Sequence, residues 1–431
     1  MIEMLTLETS FYELKDQFLT DNSGGSVVLL GKEFIAPEGQ QAKSAEVKAY
    51  VTSRLWFTYR RYFPPIGGTG PSSDQGWGCM MRCAQMLMGE VLLRRHICSH
   101  WEWPKEKATG DYLRILQMFD DNKNALYSIH QIAQMSVSEG KQLAEWIGPN
   151  TAAQVLKKLS IFDCWSDIAV HVALDSLLVD DDVHLMATTR PDDDFRKIVQ
   201  EDGKLDGTLG SVDDIEEKRK VSMDSTEWRS TLIIIPLRLG LTTANPLYLP
   251  AIQGFFRLPQ CVGILGGRPN HALYFIGIKD DKMIYLDPHY TQNCLSASSS
   301  SGSFDKDGFI GYDDGFEHAS EATEESTSIG SDSTFHCPTL LWMDYKDVDP
   351  SLAMAFFCKT KSEYEDLSKR LKEGALKTTE KYPVFEHIEK RPSKWPKFVP
   401  YVGVKAHIQM NEFLDMGEPN YEQDDAFEVL E

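Results

Sequence analysis

At Cys79 the character of this sequence changes within one residue. Upstream, Leu55-Trp56-Phe57-Thr58-Tyr59 opens an aromatic-rich region that passes through the turn-forming stretch Pro64-Pro65-Ile66-Gly67-Gly68-Thr69-Gly70-Pro71 into Gly76-Trp77-Gly78. Downstream, Cys79, Cys83, Met86, Leu87 and Val91 recur at three- and four-residue spacing. That is the period of one helix face, and it predicts a buried helix from Cys79 to His96. The glycines just before it let the backbone turn sharply into the first helical residue. Cys79 is thereby expected at the mouth of a helix, where unpaired N–H groups and the helix dipole favour negative charge and lower a thiol's pKa. On the residues alone two readings stay open: an activated nucleophile, or one more buried structural thiol. Cys83, a turn further on, reads as packing, with redox coupling to Cys79 as the alternative.

The rest of the chain sorts into helices first and strands later. Helices are predicted around Asp111–Phe119, Ser128–Met135, Ala152–Leu159 and Asp167–Leu178, the third introduced by Gly148-Pro149-Asn150-Thr151 with its capping residues. Thr231–Gly240 is a β-branched run, and Ala272–Ile278 and Met283–Pro288 form a hairpin about Lys279-Asp280-Asp281-Lys282. This order points to an α+β fold. Two charged, Gly- and Ser-containing stretches, 190–228 and 293–335, bury too little apolar surface to fold alone. Asn411–Glu431 carries eight acidic and no basic residues and reads as a mobile tail.

Bulk properties narrow the function. With 65 acidic against 44 basic residues the net charge is −21, which disfavours nucleic acid and anionic lipid as electrostatic partners. The start, Met1-Ile-Glu-Met-Leu-Thr-Leu-Glu, lacks the features of a secretory signal, and the eight cysteines form no regular framework, so a soluble cytoplasmic protein with reduced thiols is expected. His96, Cys98 and His100, and His336 with Cys337, lack ordinary zinc-site spacing, and no phosphate-binding glycine loop is present. No metal and no cofactor are implied.

The partner a cysteine nucleophile needs is found in Ile284-Tyr285-Leu286-Asp287-Pro288-His289. On an extended strand positions i and i+2 share a face, so Asp287 can lie beside the His289 ring, with Pro288 stiffening the spacing. A carboxylate there would fix the imidazole tautomer and stabilise the imidazolium formed on taking the thiol proton. A solvated bystander histidine is the other reading. His271, ahead of the preceding strand, is a rival base without a carboxylate at a comparable offset.

Trp56-Phe57-Thr58-Tyr59, Gly67-Gly68-Thr69-Gly70-Pro71, Asp74-Gln75-Gly76-Trp77-Gly78-Cys79-Met80, Tyr127-Ser128-Ile129-His130-Gln131 and Asp287-Pro288-His289 together resemble the autophagins, the autophagy cysteine proteases; the similarity runs from about Gly31 to Cys358. The resemblance implies a papain-like catalytic domain with a small inserted auxiliary domain. It implies cleavage after the C-terminal glycine of ubiquitin-like modifiers of the GABARAP kind, both to mature precursors and to release modifiers from phosphatidylethanolamine on membranes, without a membrane anchor. Cys79, Asp287 and His289 fall on the family's triad motifs. Tyr59 falls on its oxyanion-hole tyrosine, whose hydroxyl with the Cys79 N–H would contribute about 3 kcal/mol per donor to the transition state. Trp146 and the Gly266-Gly267-Arg268-Pro269 loop match elements that cover the active site, where a narrow slot would admit only glycine. Phe427 and Leu430, in the acid-preceded C-terminal segment, match a modifier-docking motif able to add a strand to a partner's sheet edge. Phe11-Tyr12-Glu13-Leu14 is a weaker second candidate.

The domain reading that follows is a flexible segment 1–30, a catalytic domain in three parts (31–165, 246–292, 336–400), an auxiliary domain 166–245 including a flexible insertion, a disordered insertion 293–335, and the acidic tail 401–431. The 293–335 stretch is longer than the family leads one to expect, and 190–228 aligns poorly. Two other functions fit the same residues: a thiol acyltransferase, in which an amine resolves the thioester, and a catalytically silent modifier-binding adaptor.

Overall fold

The structure, a computed structural model, describes residues 26–35, 44–103, 110–191, 227–294, 332–379 and 381–403. Its helices are α1 (Ser44–Thr52), α2 (Cys79–His96), α3 (Gly110–Gln117), α4 (Ile129–Val137), α5 (Pro149–Leu159), α6 (Asp180–Thr188), α7 (Leu249–Phe256) and α8 (Lys361–Arg370). Its strands are β1 (Val27–Leu29), β2 (Lys32–Phe34), β3 (Tyr59–Arg61), β4 (Ala169–Val172), β5 (Leu177–Val179), β6 (Thr231–Arg238), β7 (Cys261–Arg268), β8 (His271–Lys279), β9 (Lys282–Leu286), β10 (Thr291–Asn293), β11 (Leu341–Asp344), β12 (Ser351–Cys358) and β13 (Glu386–Ile388). Mixed helix and sheet are what the α+β expectation requires.

A nine-stranded sheet runs in the order β11-β9-β8-β7-β12-β6-β4, with β1 added to β8 and β2 to β1. Every pairing in it is antiparallel except β4 with β6. Because successive strand residues face opposite ways, the strands feed two cores at once. Leu232 and Ile234 of β6, Ala353, Ala355 and Phe357 of β12, and Ala272, Tyr274 and Ile276 of β8 line the core that holds α2. Ile233 and Ile235, Met354 and Phe356, and Leu273 and Phe275 line the core on the other face with α7.

Helix α2 packs across β7 and β8 and is buried from Cys79 to Arg94. With so little solvent face, its polar residues must find partners inside. Glu90 takes Arg94 Nε at 2.7 Å and Arg54 Nη1 at 3.0 Å, Arg82 pairs with Asp74 and Asp121, and Gln85 Nε2 donates to the Tyr127 carbonyl. These pairings hold the helix at one height and rotation over the sheet, and so fix where its first residue sits.

The helix expected over Asp167–Leu178 is instead two strands, β4 and β5, with the helix following as α6. Asp175 and Ser176 have φ of 55° and 52°, outside any right-handed helix, and Val170 and Val172 sit in β4 beside β6. Within 166–245, read in the sequence as an auxiliary domain, β4 and β6 join the central sheet and β5 pairs with β13 in a separate two-stranded sheet. Both ends of the 293–335 insertion are built into the protein: Asn293 lies in β10, and Ser333–Phe335 form a 3-10 turn preceded by Asp332, whose Oδ2 accepts from Trp103 Nε1 and the Tyr112 hydroxyl. Residues 295–331, the Phe11–Leu14 segment and the tail with Phe427 and Leu430 lie outside the described residues.

Candidate active site

The turn before α2 is organised by Asp74, a fully buried carboxylate. Its main-chain carbonyl accepts the N–H groups of Trp77 and Gly78, its Oδ1 accepts the Arg60 N–H at 2.7 Å, and its Oδ2 accepts Arg82 Nε at 2.7 Å from one turn inside the helix. Gly78 is required here, since a Cβ at that position would sit 2.5 Å from Asp74 Oδ2. Cys79 follows as the first residue of α2, 2% exposed, at a helix start capped by no side chain.

The strand segment before this turn holds the second half of the site. Tyr59 N–H donates to the Pro288 carbonyl at 2.9 Å, Trp56 Nε1 donates to the Asp287 carbonyl at 2.7 Å, and β3 runs parallel to β10 with Tyr59 opposite Thr291. Asp287-Pro288-His289 is therefore clamped by its backbone as it leaves β9. Within it, Asp287 Oδ1 lies 2.6 Å from His289 Nδ1 and also accepts the His289 N–H at 2.9 Å. The Cys79 sulfur lies against the same ring, and each group shifts the other's titration.

The electrostatics follow from these contacts. Burial works to raise the Cys79 thiol, but hydrogen bonds to His289, the Ala272 main chain and Tyr59 outweigh it and hold the thiol below its ordinary value. Burial works to lower His289, yet Asp287 and the sulfur raise it to about 9. Against its burial, Asp287 is held well below the carboxylate range by His271 and His289. Tyr59 goes the other way: burial first, then the neighbouring sulfur, push its phenol far up, so it stays a hydrogen-bond donor. Its ring meets His289 edge-on, with centroids 5.4 Å apart at 87°. Cys83 is wholly buried and its thiol is pushed up by burial, in keeping with packing.

Cys79, His289, Asp287 and Tyr59 are thus brought together. Gly266 and Gly267, read in the sequence as part of a loop, lie in strand β7 just before its final residue Arg268, in register with Leu273 and Ala272, and the turn is only Pro269-Asn270. Gly267 has φ 145°, and any side chain there would strike the His271 carbonyl, so this glycine serves the hairpin's close approach. Ala272, across from it, is the residue whose main chain meets the Cys79 sulfur. Trp146 is 40% exposed and lies near Gly148 at the start of α5, so it is not a core aromatic.

Sequence reading missed Asp74, Arg60 and Arg82 as builders of the nucleophile turn. It also missed how close His271 comes: its ring stacks on His289 with centroids 3.6 Å apart at 6°, and its Nε2 lies 3.8 Å from Asp287 Oδ2. His271, Asp287 and His289 are grouped tightly enough to suggest a metal site. The stacking argues otherwise, because an imidazole binds a metal in its own ring plane and two parallel rings at this separation cannot aim at one ion. The other histidine and cysteine groups are engaged elsewhere: His336 with the Tyr112 hydroxyl and the Thr52 carbonyl, His96 with Ser166 and the Trp165 face.

A thiol at a helix mouth, joined to an imidazole that a carboxylate orients, is the arrangement of a thiol-dependent peptidase. The sequence profile of the peptidase C54 catalytic domain matches residues 44–370. Similar curated proteins include cysteine protease ATG4A of Homo sapiens, 39% identical over 408 residues that span 94% of this chain and 92% of that one. Cysteine protease ATG4B of Xenopus laevis is 41% identical over 344 residues, 79% of each chain. Cysteine protease ATG4A of Xenopus laevis is 36% identical over 97% of both. The chain belongs to the peptidase C54 family, the autophagin cysteine proteases.

Proposed function

We propose that this chain is a cysteine endopeptidase that cleaves after the C-terminal glycine of ubiquitin-like autophagy modifiers of the GABARAP kind, maturing their precursors and releasing them from phosphatidylethanolamine. The observation that carries the reading is the joined set Cys79, His289 and Asp287, with the thiol lowered and the imidazole raised. In this reading the Cys79 thiolate attacks the glycine carbonyl, and the Tyr59 hydroxyl with the Cys79 N–H receives the oxyanion. The His289 imidazolium gives its proton to the departing amine, after which water, deprotonated by the same ring, hydrolyses the thioester. A peptide and a phosphatidylethanolamine conjugate both leave as amines from a glycine amide, so one site serves both reactions.

Specificity for glycine is assigned to Trp146 and the Gly266–Pro269 segment as walls of a slot too narrow for a side chain. Support comes from Ala272, which reaches the sulfur from the same hairpin as Gly266 and Gly267. Phe427 and Leu430 are proposed to dock the modifier at a distance from the scissile bond. The finer architecture we propose is papain-like with a small auxiliary element, for which β5, α6 and β13, outside the central sheet, are the candidates. Cytoplasmic residence, proposed from thiol usage, fits cysteines that are joined in no disulfide among the described residues. Among the described residues no helix is long and apolar enough to cross a membrane.

The test is mass analysis of a modifier precursor extended beyond its glycine, incubated with wild-type and Cys79→Ala protein. The wild type should release the extension at the glycine and the variant should not; trimming by the variant would refute the assignment.

A further inference from the structure

His271 carries the inference, which rests on the site proposed above and deepens it. The groups facing the His289 ring come from four places: Cys79 from the mouth of α2, Tyr59 from β3, Asp287 from just past the end of β9, and His271 from the first position of β8. Around these, Arg268 is the cross-strand neighbour of His271, and Tyr285 precedes Asp287 by two residues. Tyr59 touches the His289 ring edge-on, whereas His271 covers its face, parallel within 6°.

Asp287 is shared between the two histidines. Oδ1 is committed to His289 through two hydrogen bonds, and Oδ2 faces His271 Nε2 at 3.8 Å. An imidazole on that second oxygen opposes rotation of the carboxylate, and the same ring on the face of His289 opposes rotation of the imidazole. It also covers one side of the Asp287–His289 pair, reducing the solvent that would screen it. The half-exposed His271 is therefore the outer wall of the dyad.

We propose that His271 is a positioning residue that holds the Asp287–His289 pair in line with Cys79 and widens the pH range over which the thiolate–imidazolium pair exists. It touches no reacting atom; it acts through His289 and Asp287.

The experiment measures, on the full chain, kcat/KM for precursor cleavage against pH, and in parallel the rate of Cys79 alkylation by iodoacetamide, read from the mass of the Cys79 peptide. His271→Ala should narrow the active window from both sides. The acid limb should move up and the alkaline limb down, each by on the order of half a pH unit, with kcat lower by about tenfold and KM little changed. His271→Leu, which restores volume without a ring nitrogen or a flat face, should do the same and decides the matter if the alanine protein does not fold. A folded variant with wild-type limbs and kcat overturns the inference, as does a lowered unfolding midpoint with both limbs unmoved. Loss of the inference alone is distinguishable from loss of the proposed site. In the second case the wild type itself would lack a two-limbed profile, or Cys79→Ala would still cleave.

Discussion

Asp287 Oδ1 accepts two hydrogen bonds from one residue, the Nδ1–H of His289 at 2.6 Å and its main-chain N–H at 2.9 Å. The double contact fixes both the tautomer and the tilt of the ring, so the remaining nitrogen meets the Cys79 sulfur. The two-residue spacing across Pro288 makes this possible without any distant element.

The pH dependence follows from this pair. The proposed active form needs Cys79 ionised and His289 protonated. With His289 raised to about 9, activity should fall as pH rises through that value and the imidazolium is lost. With the Cys79 thiol held below its ordinary value, the acid limb should lie below the range of a free cysteine. A kcat/KM profile on a precursor substrate checks both; an alkaline limb at the pKa of an ordinary histidine would mean the pair does not form.

Tyr59→Phe removes one hydroxyl from a ring that stays buried against His289. If that hydroxyl receives the oxyanion, kcat should drop by about 10²–10³-fold with little change in KM. Steady-state kinetics with the unfolding midpoint as a control separates this from a packing loss, which would lower the midpoint and spare kcat.

Arg82→Ala leaves Asp74 buried without its guanidinium partner while Arg60 N–H still points at it. Removing one member of such a buried pair costs about 3–5 kcal/mol, measurable by denaturant titration. Because Asp74 also shapes the turn into Cys79, the variant should lose activity even at temperatures where it remains folded.

Deleting residues 424–431 should weaken processing of lipid-conjugated modifier on vesicles while leaving iodoacetamide reactivity of Cys79 unchanged. Equal rates on vesicles after deletion would remove the docking role of Phe427 and Leu430.

Much of this site was legible because its strongest signals are local. The three- and four-residue spacing from Cys79 marks α2 from Cys79 to His96, the bounds the helix has. Asp287 and His289 are two residues apart, and a strand period suffices to pair them. What was not legible depends on register or on distant partners. Strands β7 and β12 went unread because Cys-Val-Gly-Ile-Leu-Gly-Gly and Leu-Ala-Met-Ala-Phe-Phe-Cys are buried on both faces and show no polar alternation. The helix misread at 167–178 hid β4, whose partner β6 lies some sixty residues on. His271 looked like a poor base for want of a nearby carboxylate; the β8–β9 hairpin, pairing Tyr274 with Leu286, is what carries Asp287 to it. Asp74 and Arg82 are eight apart across a turn, a spacing with no periodic signature.

The most direct test of the account is covalent capture. A modifier ending in an electrophile in place of its terminal glycine carboxyl should label the wild-type chain once, with the adduct on the Cys79 peptide, and should fail to label Cys79→Ala. Labelling of a different cysteine, or retention of the label by Cys79→Ala, would contradict the assignment of Cys79 as the nucleophile.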